Sequence, residues 1–215
     1  MADRKPRAVL FDLDGTLIDT VDLILASYRH TVEVHNLGGV PDEVWLASLG
    51  IPLRVQFAQF ASHPGEVRDM IATYLDHNMQ HHDALISEYP GVLEAVQELS
   101  VAGIRLALVT SKMHGGLERG LSLGGFDGLF EILIGADDVD NPKPHPEPVL
   151  KALAGLGVAP ADAVFVGDSP HDMASGRAAG VRTAAATWGP FANDELEPHE
   201  PDIWLESPSA IRDLI

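Results

Sequence analysis

Residues 8–20 read Ala8-Val9-Leu10-Phe11-Asp12-Leu13-Asp14-Gly15-Thr16-Leu17-Ile18-Asp19-Thr20. The apolar run from Ala8 to Phe11 has no polar alternation, the pattern of a strand buried on both faces of a parallel sheet. It ends abruptly in Asp12, Asp14 and Gly15. Open α/β sheets bind ligands at such carboxyl ends. Two carboxylates one residue apart repel each other and resist desolvation, so a cation is expected between them. An oxygen-only donor set favours Mg²⁺, which takes few protein carboxylates alongside substrate phosphate. On this stretch alone, a simple turn at Gly15 explains the aspartates equally well.

Length and composition narrow the field. A chain of 215 residues suits one α/β core carrying a smaller insert. With 46% hydrophobic and 21% charged residues it can bury a substantial core, and no apolar run is long enough to cross a bilayer. Met1 to Arg7 reaches Asp12 too soon for a signal peptide, and Cys is absent, so a cytoplasmic location is expected. The formal charge of −18 argues against nucleic acid and anionic membranes as partners. It also repels anionic substrates at long range, so a phosphate ester would need a local cluster of cations and backbone donors.

Asp-Leu-Asp-Gly-Thr-Leu-Ile-Asp-Thr resembles the first motif of the haloacid dehalogenase superfamily of aspartate-nucleophile phosphatases. The resemblance implies that Asp12 attacks phosphorus to form an aspartyl-phosphate, while Asp14 protonates the leaving oxygen and later activates water. It also implies a helical cap inserted after the first strand. The sequence agrees: from Asp19 onward Val21, Ile24, Leu25, Tyr28, Val32 and His35 repeat with helical period, with Asp19 or Thr20 as cap. Breaks at Gly38-Gly39, Gly50-Ile51-Pro52 and His63-Pro64-Gly65 separate further helices. The last carries Val67, Met70, Ile71, Tyr74, Leu75 and Met79. The expected division is a Rossmann-like, mainly parallel three-layer α/β core at 1–17 and 90–215, with an all-helical cap at 18–89. An independent interaction module is the alternative for the insert.

Beyond Pro90, helices alternate with apolar strands, as a parallel sheet requires. The strand from Ile104 to Val109 ends in Thr110-Ser111-Lys112, which resembles the second motif of the phosphoglycolate phosphatase and pyrophosphatase branch. Thr110 then binds the phosphoryl group, and Ser111 and Lys112 are candidate substrate contacts, although a solvated loop lysine is an equally ordinary reading. A helix is expected from Gly116 to Leu123 and a strand from Glu131 to Ile134, with Asp137 and Asp138 shaping the turn. The proline-stiffened run Lys143-Pro144-His145-Pro146-Glu147-Pro148 resembles the third motif. Its lysine is implied to hold the nucleophile and the transferring oxygens, and His145 is read as a loop filler. A strand from Ala163 to Val166 precedes Gly167-Asp168-Ser169-Pro170-His171-Asp172, the fourth motif. The resemblance implies that Asp168 joins Asp12 and Asp14 as a metal ligand and that Asp172 supports the metal shell, while a purely capping role for Asp172 in the first turn of the following helix is the alternative. Strands from Arg182 to Trp188 and Asp202 to Leu205, and a terminal helix, complete the chain.

The expected activity is Mg²⁺-dependent phosphohydrolysis of a small phosphorylated metabolite. Dehalogenation needs neither a metal nor the second aspartate. A receiver-like phosphoacceptor would carry its aspartate on a middle strand without a helical insert, whereas a phosphosugar mutase shares all four motifs. Arg54, after the Gly50-Ile51-Pro52 turn, is the candidate for a second anionic group unless it is simply solvated. A phosphoglycolate-like monoester is favoured over pyrophosphate, which asks for more positive charge than the chain offers. The motifs do not specify an oligomeric state.

Overall fold

The computed structural model describes residues 5–215. In chain order these form β1 (Ala8–Phe11), β2 (Ile18–Asp19), α1 (Val21–Val34), α2 (Asp42–Leu46), α3 (Leu53–Ala58), α4 (Pro64–Leu85) and β3 (Ser87–Glu88). They continue with α5 (Val92–Val101), β4 (Arg105–Val109), α6 (His114–Leu123), β5 (Ile132–Ile134), α7 (Glu147–Leu156) and β6 (Ala163–Gly167). Then come α8 (Pro170–Ala179), β7 (Arg182–Ala186), α9 (Asn193–Leu196) and β8 (Ile203–Leu205). By compactness the chain divides into one unit of residues 5–19 with 88–215 and another of residues 20–87.

The first unit is built on a six-stranded sheet of order β5-β4-β1-β6-β7-β8, every neighbouring pair parallel. The strand residues alternate between two apolar layers. Val9, Phe11, Leu106, Leu108, Val164 and Val166 join the core on one face. Ala8, Leu10, Ala107, Val109, Ala163 and Phe165 join the core on the other. Burial on both faces is why these strands are unbroken apolar runs in the sequence. Helix α5 covers one face together with the 3-10 turns at Pro208–Leu214, whereas α7 and α8 pack on strands of the other. From β1 the chain runs outward to β4 and β5, then returns to β6 on the far side of β1. That reversal opens a crevice at the carboxyl ends of β1 and β6.

Several elements differ from expectation. Helix α6 starts at His114 and runs through Gly115 and Gly116, because the Asp137 carboxylate accepts the His114 amide at 3.1 Å from 23 residues away. Glycine disfavours a helix interior, and no local signal announces such a distant cap. β7 stops at Ala186, leaving Trp188 in the following turn, and the terminal helix is 3-10 rather than α. β2 and β3 pair with each other and are too short, at two residues each, to show a strand pattern.

The second unit is all α apart from its last residue. The Tyr28 and Trp45 rings stack at 4.3 Å, with Phe57 and Tyr74 tilted against Tyr28. The Tyr28 hydroxyl donates to Gln56 Oε1 at 2.6 Å, so its polar end is satisfied inside the cluster. Thr20 occupies the N-cap of α1, but its hydroxyl makes no capping bond. The buried face of α1 is turned from the expected one: Val32 and His35 are only half-buried while Ser27 and Thr31 are buried. In α4 the buried stripe is Met70, Tyr74, Asn78 and His82, spaced by four, and Met79 is exposed. Asn78 donates to Ser27 Oγ at 3.4 Å, so polar partners replace the apolar contacts that hydrophobic periodicity assumes.

Candidate active site

Backbone pairing carries the β1 ladder one residue further, the Asp12 amide donating to Val166 O at 2.9 Å, so the Asp12 side chain leaves the sheet at its carboxyl edge. The Asp12 Oδ1 atom accepts the Leu13 amide at 2.7 Å. Its Oδ2 faces Lys143 Nζ at 3.0 Å. Lys143 arrives from the proline-rich segment before α7, fully buried, and also donates to Asp172 Oδ1 at 2.6 Å and to Val109 O at 3.4 Å. Asp172 sits in the first turn of α8, where it forms a capping box with Ser169, accepting the Ser169 amide at 3.1 Å and hydroxyl at 2.6 Å. It therefore both caps the helix and anchors the lysine.

Asp168 follows β6 and accepts the Thr16 hydroxyl at 2.6 Å. Thr16 is itself held, since its carbonyl accepts the Trp188 indole N–H at 3.0 Å. The backbone here approaches very closely. Gly15 has φ +81°, and a Cβ there would lie 2.6 Å from Asp168 Oδ2. A Cβ at Gly189 would lie 2.4 Å from Asp168 Cβ. The Trp188-Gly189 turn thus supports the aspartate from behind, a role the sequence reading did not assign to it. A Trp-Gly pair directly after a strand was the available signal.

Ligand atoms of Asp12, Asp168 and Asp172 all lie within 4.8 Å of one another, and all three residues are buried. Lys143 is the one cation in contact with them among the described residues. The consequence is visible in the acidities. Burial, with Asp172 and Asp14 adding to it and Lys143 opposing, pushes Asp12 up to about 7. Burial raises Asp168 well above the usual carboxylate range, reinforced by Asp172 and Asp12. Burial also works against the ammonium of Lys143, but Asp12 and Asp172 outweigh it and hold its pKa above the ordinary lysine value. Three hard oxygen donors with excess negative charge in a closed site suit a divalent cation of the Mg²⁺ kind.

The other sequence candidates fall as follows. The carboxylate of Asp14, expected among the metal ligands, accepts Lys112 Nζ on Oδ1 at 2.7 Å, and the buried triad of carboxylates is Asp12, Asp168 and Asp172. Lys112 is not the solvated loop residue that remained possible, for only 11% of its side chain is accessible. Thr110 is buried at the end of β4 and accepts the Lys112 amide at 3.2 Å, and Ser111 is half-buried beside it. Arg54 is exposed on α3 in the helical unit. His145 is exposed, its ring accepting the Glu147 amide at 3.1 Å. Asp137 and Asp138 lie in a 3-10 turn, Asp138 paired with His114 at 2.6 Å.

The arrangement gathers the carboxylates of Asp12 and Asp14, the Lys143 ammonium and the buried oxygens of Asp168 and Asp172 beyond the carboxyl ends of β1 and β6. Comparison with known proteins gives the same direction. Among curated proteins, pyrophosphatase PpaX of Bacillus velezensis is 41% identical over 97% of this chain and 96% of its own length. Pyrophosphatase PpaX of Bacillus pumilus is 42% identical over 100% of this chain and 99% of its own. Among solved structures, a putative haloacid dehalogenase-like hydrolase from Bacteroides fragilis superposes with TM-score 0.90 at 26% identity, covering 98% of this chain and 100% of that one. A putative phosphoglycolate phosphatase from Lactobacillus plantarum gives TM-score 0.89 at 27% identity over 99% and 100%. The sequence pattern of one family matches residues 9–186, from β1 with its two aspartates to the end of β7, and by that match the chain belongs to the haloacid dehalogenase-like hydrolases.

Proposed function

We propose that the protein is a Mg²⁺-dependent phosphohydrolase whose preferred substrate is inorganic pyrophosphate. The observation that carries the hydrolase reading is the placement of Lys143 between Asp12 and Asp172 with Asp168 beside them. Lys143 neutralises and orients Asp12 while leaving its carboxylate as the nucleophile. Asp12 oxygen bonds to phosphorus as the bond to the leaving oxygen breaks, and a proton from Asp14 goes to that oxygen. In the second half, the oxygen of a water bonds to phosphorus, the Asp12–phosphorus bond breaks, and the water's proton returns to Asp14. Asp12, Asp168 and Asp172 would hold the cation. When bound, Mg²⁺ supplies positive charge to the carboxylates and the phosphoryl oxygens.

The substrate preference rests on relatives named as pyrophosphatases, which share about two-fifths of their residues with this chain along nearly its whole length. The charge objection to pyrophosphate weakens if it arrives as its magnesium complex, which brings part of its own countercharge. A phosphoglycolate-like monoester is the second reading, favoured by the likeness to the 27% identical putative phosphoglycolate phosphatase of Lactobacillus plantarum. The deciding experiment is a turnover panel of pyrophosphate, phosphoglycolate, sugar phosphates and nucleotides, with Mg²⁺ and with EDTA. We expect kcat/KM for pyrophosphate to exceed that for every monoester by about tenfold or more. A preference for phosphoglycolate would install the second reading. Repeating the panel with Arg54→Ala tests the sequence-based expectation that this residue reads a second anionic group.

A further inference from the structure

We propose that Lys112 is the positioning residue for Asp14, aimed at it through a slot that Gly116 leaves open in α6. The inference rests on the phosphohydrolase reading, since it concerns the proton that Asp14 delivers. Four observations converge on it. The Lys112 ammonium donates to Asp14 Oδ1 at 2.7 Å across 98 residues of sequence. Its backbone is fixed at both ends: the amide donates to Thr110 Oγ1 at 3.2 Å, and the carbonyl accepts the Ala136 amide at 3.0 Å. Its stem runs against Gly116, where a Cβ would lie 2.9 Å from Lys112 Cε and 3.3 Å from both Cδ and Cγ. The pair is sheltered, with side-chain exposures of 11% and 23%.

A lysine free to wander keeps about four rotatable bonds' worth of entropy, which it loses on being held. Here the backbone anchors and the helix surface impose that order before substrate arrives. Glycine is a poorer helix former than alanine, so its presence at Gly116 in the first turn of α6 is consistent with the room that the lysine stem takes there. Once Asp14 has given up its proton it is ionised next to Asp12, and the Lys112 ammonium then offsets the repulsion between the two carboxylates. A single hydrogen bond to Oδ1 fixes the plane of the carboxyl group. An acid must be aligned with the departing oxygen to protonate it, so misaiming Asp14 is most costly where the leaving group most needs its proton.

The test is kcat/KM, which reports steps up to departure of the leaving group, for 2,4-dinitrophenyl, p-nitrophenyl, phenyl and ethyl phosphate and for phosphoglycolate. Wild type, Lys112→Met and Gly116→Ala are compared at saturating Mg²⁺. Lys112→Met should lose about 3-fold on dinitrophenyl phosphate and about 100-fold on ethyl phosphate, chiefly in kcat. Phosphoglycolate should lose as much as ethyl phosphate, because the leaving groups are alike. Gly116→Ala should give the same trend with smaller amplitude, and it keeps the idea testable if Lys112→Met does not fold. An equal loss on all esters would overturn the proposal in favour of a purely structural lysine. A raised KM confined to phosphoglycolate would overturn it in favour of a lysine that grips the substrate's carboxylate. If wild type turned over no ester and no pyrophosphate, the phosphohydrolase reading would fall and this inference with it. Turnover with no leaving-group trend removes the Lys112 role alone.

Discussion

The ammonium of Lys143 lies nearer to Asp172, at 2.6 Å, than to the nucleophile candidate Asp12, at 3.0 Å. The shorter bond goes to the carboxylate that α8 holds in its capping box, so the helix, rather than Asp12, fixes the lysine. Asp12 is thereby electrostatically supported without being locked into a tight pair. Removing the ammonium leaves buried carboxylates without their cation, a situation that costs about 3–5 kcal/mol. Lys143→Met should lower the urea-unfolding free energy by that order in EDTA, with part of the loss recovered in Mg²⁺. A loss below about 1 kcal/mol would mean that water already compensates the cluster.

Asp12→Asn should fold normally and be almost inactive, since an amide cannot form the acyl phosphate. Burial of an ionised Asp12 is unfavourable in the metal-free protein, so the neutral variant should be no less stable than wild type in EDTA. Retention of more than about a tenth of wild-type turnover would assign the nucleophile elsewhere.

Metal dependence and stability should part company at Asp168. Its acidity is depressed by burial next to Asp172 and Asp12, and its bond from Thr16 needs only an acceptor. Asp168→Asn should therefore raise the melting temperature in EDTA by about 2–4 °C, the equivalent of about 1 kcal/mol in a chain of this size. The same variant should lose most of the Mg²⁺-induced rise seen in wild type, along with the Mg²⁺ response of activity. An unchanged thermal shift with Mg²⁺ would place the cation outside this triad.

What could be read in advance follows the physics of each element. β1, β4 and β6 are apolar on both faces, so their runs stand out, and Asp12, Thr110 and Asp168 at their ends come with them. The Lys143 contacts were expected only through the resemblance, because a proline-rich loop gives no direction for its side chain. Partnerships set by tertiary closure were not legible. The Trp188 indole reaches Thr16 across 172 residues, and Lys112 reaches Asp14 across 98. Asp172 showed two roles in sequence, cap or ligand, and in the fold its one carboxylate caps α8, holds Lys143 and lies within the buried acidic triad. In the helical unit, polar Asn78 and His82 take buried positions that apolar periodicity assigns to others.

The pair of His114 and Asp138 joins the loop after β4 to the one after β5 and should make stability depend on pH. His114 Nε2 meets Asp138 Oδ2 at 2.6 Å, and the same oxygen accepts the Gly135 amide at 2.8 Å. Asp137 and Glu118 also face the imidazole's positive charge, and the Lys151 ammonium faces Asp138. The hydrogen bond to Asp138 raises the pKa of His114 above its ordinary 6.5, against a smaller opposing effect of burial. Burial would raise Asp138, but the Gly135 amide and His114 outweigh it and bring the group below its ordinary 3.8. For a raised histidine, the stabilisation is complete below 6.5 and disappears as pH climbs through the raised value. For a lowered aspartate, it is present above 3.8 and disappears as pH falls through the depressed value. The pair therefore contributes fully between those two ordinary values and fades on either side. His114→Gln keeps a hydrogen-bond donor but cannot carry the charge. Because the side chains are about one-third exposed, screening limits the difference between wild type and this variant to about 0.5–1 kcal/mol. Urea titrations at about pH 5 and about pH 9 should show that difference at the lower pH and almost none at the higher. A difference that is equal at both pH values would show that the imidazole stabilises the loops by packing and not by charge.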